Sequence, residues 1–307
     1  MPHNLVNSQP RRLGRLGSSV GPFSLGLWRM VESQVADPRT LLEAALGCGM
    51  NLVDIADVYG LDWGGHAFGE VEAHLGSALK AAPRLRDQMV LATKGGIRPG
   101  VPYDSSRAYL IAACEASLKR LQTGHIDLYF IHRPDPFTPA GEVAQTLATL
   151  VQSGKVREVG VSNHTPAQVA ALQDHLPFPL ASVQPQFSAH HLAPLWDGTL
   201  DQCAQMNLLP MAWSPLAGGG LATGAEAVPG GPRAELLAVL DELALREGVT
   251  RSAVALAFVL CHPSAPVAIV GSTKPERLKE AQAALKVRLD RTDVYRIIQA
   301  GMGAELP

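Results

Sequence analysis

The sequence predicts an α/β protein that folds as one (β/α)8 TIM barrel over residues 1–307, with an N-terminal hairpin and a C-terminal helix. Short apolar runs that suit buried strands occur eight times, and segments with helical spacing alternate with them. Repeated strand–helix alternation requires parallel strands, and eight such units close into a barrel. The chain of 307 residues is 47% hydrophobic and 18% charged, which suits a large core and excludes a disordered protein.

Turn residues and helix-cap residues mark where the predicted strands and helices begin and end. Gly14 and Gly17 punctuate a predicted hairpin over 12–20. Asp37 followed by Pro38 is typical of a helix start. The predicted strands span 23–27, 51–54, 89–93, 127–131, 159–162, 180–184, 208–212 and 267–270. The predicted helices span 38–46, 66–80, 105–121, 138–154, 165–174, 233–247, 252–260 and 292–300, and a further helix begins at 274–275.

Composition excludes several classes of function. The net charge of −2 gives no reason to expect nucleic acid or an anionic membrane as a partner. No apolar run approaches the roughly 18 residues of a membrane span. The Arg11-Arg12 pair precedes an apolar stretch, as in a twin-arginine export signal, but Arg15 and Gly17 interrupt that stretch. The cysteines lack a CxxC pair and indicate reduced thiols in a cytoplasmic protein: they are Cys48, Cys114, Cys203 and Cys261.

Polar residues collect at the ends of the predicted strands, where a barrel builds its active site. Asp54, Lys94 and His132 directly follow strands two, three and four, and Tyr59 follows Asp54 by five residues. A tyrosine normally keeps its proton until about pH 10, so a proton-donating Tyr59 needs a cation beside it. Later strands end in further polar or aromatic residues, namely Ser162, Asn163, Gln184, Trp213, Ser214 and Ser272.

Six motifs occur in order along the chain. They are DIADVYG at 54–60, TKGG at 93–96, IHRPD at 131–135, GKVREVGVSN at 154–163, WSPL at 213–216 and GSTKPER at 271–277. On these motifs the sequence resembles the aldo-keto reductases over essentially its whole length. The resemblance implies an NADPH-dependent enzyme that reduces aldehydes or ketones on a (β/α)8 barrel.

The four strand-end residues correspond to the catalytic tetrad of that family, and their chemistry is consistent with the role. Hydride transfer to a carbonyl carbon builds negative charge on the oxygen, which a proton donor must meet. Tyr59 can donate if the positive charge of Lys94 lowers its pKa. Asp54 would pair with Lys94, and His132 would orient the carbonyl oxygen by a hydrogen bond.

The resemblance also implies a set of cofactor contacts. The nicotinamide amide corresponds to Ser162, Asn163 and Gln184, and Trp213 takes the place of the aromatic ring that stacks on the nicotinamide. The pyrophosphate segment corresponds to Ser214, Leu216 and the loop from Gly218 to Gly220. The 2′-phosphate segment corresponds to Ser272, Lys274 and Arg277, with Glu280 toward the adenine. This chain departs from relatives in having Gly271 where some have lysine and Ala281 where many have asparagine.

Trp28 and Trp63 are predicted to line the substrate pocket with Trp213. Aromatic walls with few polar groups favour small or aromatic aldehydes, and the short C-terminus disfavours ketosteroids.

Alternative interpretations stay open from the residues alone. Asp54 and Lys94 could form a structural ion pair, and Tyr59 and His132 could be packing residues. The barrel could be an NADPH-binding regulatory subunit with little turnover, or an isomerase or hydrolase that binds no NADPH. No metal site is expected from His66 or the adjacent His190-His191, since no cysteine or carboxylate pattern accompanies them. The absence of a GxGxxG motif after the first strand disfavours a Rossmann domain.

Overall fold

A computed structural model describes residues 4–61, 64–222, 224, 226 and 231–306. Its strands are β1 (Arg11–Leu13), β2 (Ser18–Val20), β3 (Phe23–Gly26), β4 (Leu52–Asp54), β5 (Val90–Gly95), β6 (Ile97–Arg98), β7 (Val101–Tyr103), β8 (Ile126–Ile131), β9 (Val156–Ser162), β10 (Ser182–Gln184), β11 (Leu209–Ala212) and β12 (Val267–Val270). Eight of them pair in parallel as a closed barrel, in the order β3, β4, β5, β8, β9, β10, β11 and β12, and β12 pairs with β3. The predicted (β/α)8 barrel is confirmed.

Helices surround this barrel. They are α1 (Pro38–Gly47), α2 (Glu70–Ala81), α3 (Arg107–Leu121), α4 (Ala140–Gln152), α5 (Pro166–Gln173), α6 (Thr199–Met206), α7 (Ala234–Glu247), α8 (Arg251–Val259), α9 (Pro275–Ala281) and α10 (Arg291–Met302). The Asp37 carboxylate accepts the Arg39 amide at 3.0 Å and caps α1, as predicted. Within the described ranges, none of the helices is long and apolar enough to cross a membrane.

The hairpin β1–β2 packs onto the barrel interior. Leu13 and Val20 belong to the same buried apolar cluster as the barrel residues Leu52, Leu128 and Met211. The buried Glu158 at the start of β9 holds the hairpin turn, because its carboxylate accepts the amide of Leu16 at 2.8 Å and pairs with Arg15 at 3.3 Å. The hairpin and these contacts leave the other end of the barrel, where the strands finish, free for a site.

The structure differs from the sequence prediction at several boundaries. The helix predicted from 66 begins at Glu70, because Gly69 adopts a left-handed backbone with a φ of 81°. The strand predicted from 180 begins at Ser182, because the amide of Leu180 donates to the Gln173 side chain at 2.8 Å. Helix α6 and the hairpin β6–β7 are additional elements that the hydrophobic pattern did not predict.

Candidate active site

A cavity of about 590 Å3 opens where the barrel strands end. Every barrel strand except β5 contributes a wall residue from its end or the loop that follows. Most of the predicted site residues lie in this wall: Trp28, Asp54, Tyr59, His132, Ser162, Asn163, Gln184, Trp213, Ser214, Leu216, Gly218, Ser272, Lys274, Arg277 and Glu280. Lys94 of β5 lies fully buried behind Asp54 and Tyr59. Trp63 lies outside the described residues.

The Lys94 ammonium joins the two residues on either side of it. Its Nζ donates to Asp54 Oδ2 at 2.7 Å, to the Ile55 carbonyl at 2.8 Å and to the Tyr59 hydroxyl at 3.3 Å. Three acceptors use all three ammonium protons. A buried ammonium with this complete set is held in one place, and two of its three acceptors, Asp54 and Tyr59, belong to residues of the cavity wall.

The charge of Lys94 follows from its surroundings. Burial by itself lowers the pKa of the ammonium, but the charges of Asp54 and Tyr59 and their hydrogen bonds outweigh it, so the pKa of Lys94 is raised. Gln184 strengthens the arrangement, because its Nε2 donates to Asp54 Oδ1 at 2.9 Å. Each oxygen of the Asp54 carboxylate therefore accepts a hydrogen bond, one from Lys94 and one from Gln184, which fixes its position beside the ammonium.

His132 completes the group across the cavity. Its ring meets the Tyr59 ring edge-on, with centroids 6.0 Å apart at an angle of 79°. Burial, then the positive charges of Lys94 and Arg133, hold the pKa of His132 well below its usual value, so the imidazole is neutral near pH 7. Nδ1 of His132 is buried and has no partner among the described residues. A neutral imidazole in this position can donate one hydrogen bond into the cavity.

A network of amides and hydroxyls extends the wall from His132 toward β11. The Asn163 Nδ2 donates to the His132 carbonyl at 3.2 Å and to Ser162 Oγ at 2.9 Å. The Trp213 Nε1 donates to Asn163 Oδ1 at 3.0 Å, which fixes the indole as one side of the cavity. The predicted nicotinamide contacts Ser162, Asn163, Gln184 and Trp213 are thus brought together, and Gln184 also serves Asp54.

The loop after Trp213 turns its backbone toward the cavity. Ser214, Ala217 and Gly218 all have positive φ, of 51°, 51° and 67°. Gly219 lines the cavity beside Gly218, whereas Gly220 packs away from it, since a Cβ there would lie 2.8 Å from Pro232 Cδ. Of the residues predicted to contact the pyrophosphate, Ser214, Leu216, Gly218 and Gly219 line the cavity and Gly220 does not.

The far end of the cavity is cationic. Ser272 Oγ accepts the Lys274 amide at 3.2 Å, and the guanidinium of Arg277 pairs with Glu280 at 3.2 Å. Trp28 packs over Gly271, where a Cβ would lie 2.9 Å from the indole Nε1. A lysine at 271 would displace Trp28, which gives a physical reason for the glycine in this chain.

Sequence reasoning missed two arginines of the cavity wall. Arg29 stacks over Trp28, with its Cζ 4.7 Å from the ring centre, and donates to the Gly218 carbonyl at 3.3 Å. Arg133 lies over Trp213 with its Cζ 5.9 Å from the ring centre. Each arginine directly follows a predicted site residue, Trp28 or His132. This adjacency is the feature of the sequence from which the two arginines could have been predicted.

A second buried polar cluster lies behind the site. Glu72 accepts the Thr93 hydroxyl at 2.6 Å and pairs with Arg120 at 2.7 Å. No side chain of the described residues donates a hydrogen bond to either carboxyl oxygen of the nearby Asp57. Burial, then the negative charge of Glu72, raises the pKa of Asp57 well above its usual value, which favours the protonated carboxyl.

The cavity at the strand ends of a (β/α)8 barrel defines the class of protein, and comparison with known proteins identifies the family. The Aldo/keto reductase family profile matches residues 21–301. A 6-dehydroglucose reductase of Novosphingobium aromaticivorans is 45% identical over 97% of this chain and 97% of its own. The oxidoreductase YdhF of Escherichia coli is 40% identical over 95% of this chain and 97% of its own.

A solved structure agrees with these relatives. The aldo/keto reductase of Klebsiella pneumoniae in complex with NADP and acetate has a TM-score of 0.76 to this chain, at 27% identity, with 95% of this chain and 94% of its own covered. The chain belongs to the aldo/keto reductase family.

Proposed function

We propose that this protein reduces aldehydes or ketones to alcohols with NADPH, and that Asp54, Tyr59, Lys94 and His132 carry the reaction. The observation that carries this proposal is the fully buried Lys94 ammonium, which contacts both the Asp54 carboxylate and the Tyr59 hydroxyl. A purely structural ion pair would need no third acceptor at the wall of a cavity. Its membership of the aldo/keto reductases makes the chain an NADP-dependent oxidoreductase.

The cavity fits a dinucleotide with a 2′-phosphate. Its wall runs from the neutral amide network at Asn163, past the exposed backbone of Gly218 and Gly219, to the cations Lys274 and Arg277. These groups suit in turn an amide, a pyrophosphate and a phosphate monoester. When bound, NADPH supplies a hydride to the carbonyl carbon of the substrate.

The side chains handle the oxygen end of the reaction. The neutral His132 donates a hydrogen bond to the carbonyl oxygen and orients it. Tyr59 gives its hydroxyl proton to that oxygen as negative charge develops, which completes the alcohol. Lys94 at 3.3 Å stabilises the phenolate that remains, and Asp54 and Gln184 keep the ammonium charged and in place. Solvent returns the proton to Tyr59 after product leaves.

The substrate is a small carbonyl compound. Trp28 and Trp213 form apolar sides of the cavity, and Arg29 and Arg133 add polar groups beside them. The 45% identical relative named a 6-dehydroglucose reductase makes a sugar aldehyde the first substrate to test, alongside nitrobenzaldehyde. The four cysteines are free, which suits the reducing cytoplasm that we propose as the location.

A carbonyl-substrate screen with NADPH absorbance tests this function, with NADPH fluorescence titration run in parallel. Binding together with turnover of at least one aldehyde is the expected result. Tight binding with negligible turnover on every carbonyl would instead identify an NADPH-binding regulatory barrel. A protein that binds no NADPH would be an isomerase or hydrolase, and the proposal would be rejected.

A further inference from the structure

Arg133 is a cation of the cavity wall that the proposed chemistry does not use. It directly follows His132 at the end of β8, and it lines the same cavity as Tyr59 and His132. Its guanidinium carbon lies 5.9 Å from the centre of the Trp213 ring. Its charge contributes, after burial and Lys94, to the low pKa of His132, so the guanidinium and the imidazole are near neighbours.

The guanidinium of Arg133 makes no hydrogen bond or ion pair with any described residue. The nearest carboxylate along the chain, Asp135, is already engaged by the Ser105 amide at 2.9 Å and the Thr138 hydroxyl at 2.6 Å. A half-buried guanidinium thus has five donors without a protein acceptor among the described residues, and it lies beside the face of the Trp213 ring.

The other described arginines of this cavity wall differ from Arg133 in having oxygen partners, and Lys274, whose ammonium has none in the described structure, belongs to the segment proposed for the 2′-phosphate. Lys94 pairs with Asp54, Arg277 pairs with Glu280, and Arg29 donates to the carbonyl of Gly218. Arg133 is therefore placed to receive oxygen atoms from a bound molecule.

We propose that Arg133 is a specificity-determining residue, which selects carbonyl substrates with hydroxyl or carboxylate oxygens a few bonds from the carbonyl. The proposal rests on the proposed function, because it assumes that the carbonyl oxygen lies at Tyr59 and His132. Because Arg133 lines the same cavity as Tyr59 and His132, its donors can meet oxygen atoms on the carbons next to that carbonyl. The planar fork of a guanidinium matches paired oxygen acceptors better than a point charge does.

A merely structural Arg133 would cap the Trp213 ring by a cation–π contact and nothing else. Removal of the arginine would then change kcat/KM by the same factor for every substrate, through Trp213 or through the charge beside His132. If Arg133 selects oxygen-rich substrates, its removal instead changes the ratio of kcat/KM between two substrates that differ only in their oxygen atoms. That ratio separates the two roles.

The turnover experiment uses two matched pairs of aldehydes with NADPH: D-glyceraldehyde with propanal, and succinic semialdehyde with butanal. Arg133→Met keeps the apolar stem and removes the donors, and Arg84→Met, an exposed arginine away from the cavity, is the matched control. We expect Arg133→Met to reduce the kcat/KM ratio within a pair by about tenfold or more, mainly through KM, as the loss of bonds to a charged donor requires. Arg133→Lys should restore the ratio in part, and Arg84→Met should leave it unchanged.

The two pairs distinguish the source of the oxygens. If the kcat/KM ratio falls in both pairs in Arg133→Met, both hydroxyl and carboxylate oxygens are ligands of Arg133. A larger fall in the pair with succinic semialdehyde identifies carboxylate as the preferred ligand. Equal losses for both members of each pair would overturn the proposal and leave Arg133 as a cap on Trp213.

A binding measurement separates this proposal from the proposed function. Sodium D-glycerate and sodium propionate, which are not reduced, are titrated by calorimetry into the protein with NADP+ present. We expect D-glycerate to bind about tenfold more tightly than propionate, and the difference to vanish in Arg133→Met. If this holds although no aldehyde is reduced, the proposed function fails and the role of Arg133 stands. If wild type binds both acids equally and Arg133→Met weakens neither, the role of Arg133 is rejected whatever the turnover.

Discussion

Arg277→Met tests the cofactor end of the site. The side chain of Arg277 is 49% exposed and pairs with Glu280 at 3.2 Å. A charge-assisted bond from Arg277 to the 2′-phosphate of NADPH would contribute about 1.5–3 kcal/mol if it were well shielded. Because Arg277 is exposed and Glu280 competes for its guanidinium, we expect Arg277→Met to lose binding free energy for NADPH at the lower end of this range, about 1.5 kcal/mol. This loss corresponds to about a tenfold increase in Kd.

The assay is a pair of fluorescence titrations, with NADPH and NADH, on wild type and mutant. NADH lacks the 2′-phosphate, so its Kd should hardly change in Arg277→Met. The loss for NADPH should shrink as salt is raised from low to about 0.5 M, because screening weakens contacts between exposed charges. Arg291→Met, at the exposed first residue of α10 and outside the cavity, should bind both cofactors like wild type.

Two results would refute this reasoning. Equal affinity of the wild type for NADPH and NADH would show that the cavity does not recognise the 2′-phosphate. An equal loss for both cofactors in Arg277→Met would show that the substitution disturbs the cavity as a whole. In either case Arg277 would not be the residue that recognises the 2′-phosphate, and the assignment of this end of the cavity would be rejected.

Three further predictions concern other parts of the molecule. Lys94→Met and Tyr59→Phe act on one proton transfer, so the steady-state kcat of the double mutant should be well above the value expected if the two single effects multiplied. Effects on kcat that multiply fully would show that the two residues act on different steps. The cavity should give nitrobenzaldehyde a higher kcat/KM than a ketosteroid, and the opposite order would contradict the pocket assignment. The folded-state pKa of Asp57 is raised, so its contribution to stability is complete below about pH 4 and is lost as pH rises toward that raised value. Asp57→Asn should therefore gain stability relative to wild type between pH 4.5 and 7.5 in urea unfolding, and a difference independent of pH would show that Asp57 is ionised in the folded protein.

The barrel and the grouping of Asp54, Lys94 and His132 followed from the sequence for one physical reason. Parallel strands end at the same edge of a sheet, so polar residues that follow successive strands meet in space. The rule needs only the order of strands, which apolar runs and helix caps define. The rule placed these residues together even though the predicted bounds of some strands and helices were wrong by several residues.

Other parts of the site depend on contacts that a local pattern does not contain. The bond from Gln184 to Asp54 joins residues 130 apart in the chain, and it depends on closure of the barrel. The raised pKa of Asp57 depends on burial beside Glu72 of α2. Arg133 was hidden for a different reason, because an arginine after a strand is ordinarily a solvated charge. Only the absence of a partner within the described structure gave it significance.

The central claim is that Tyr59 donates the proton while Lys94 and Asp54 support it. The most direct measurement is single-turnover oxidation of NADPH by Tyr59→Phe at saturating aldehyde, with the Kd for NADPH measured on the same sample. We expect a rate reduced by roughly 10²–10⁴-fold and a Kd within about twofold of wild type. A rate near that of wild type would contradict it, and the proton would then have to come from another group, with His132 first to be tested.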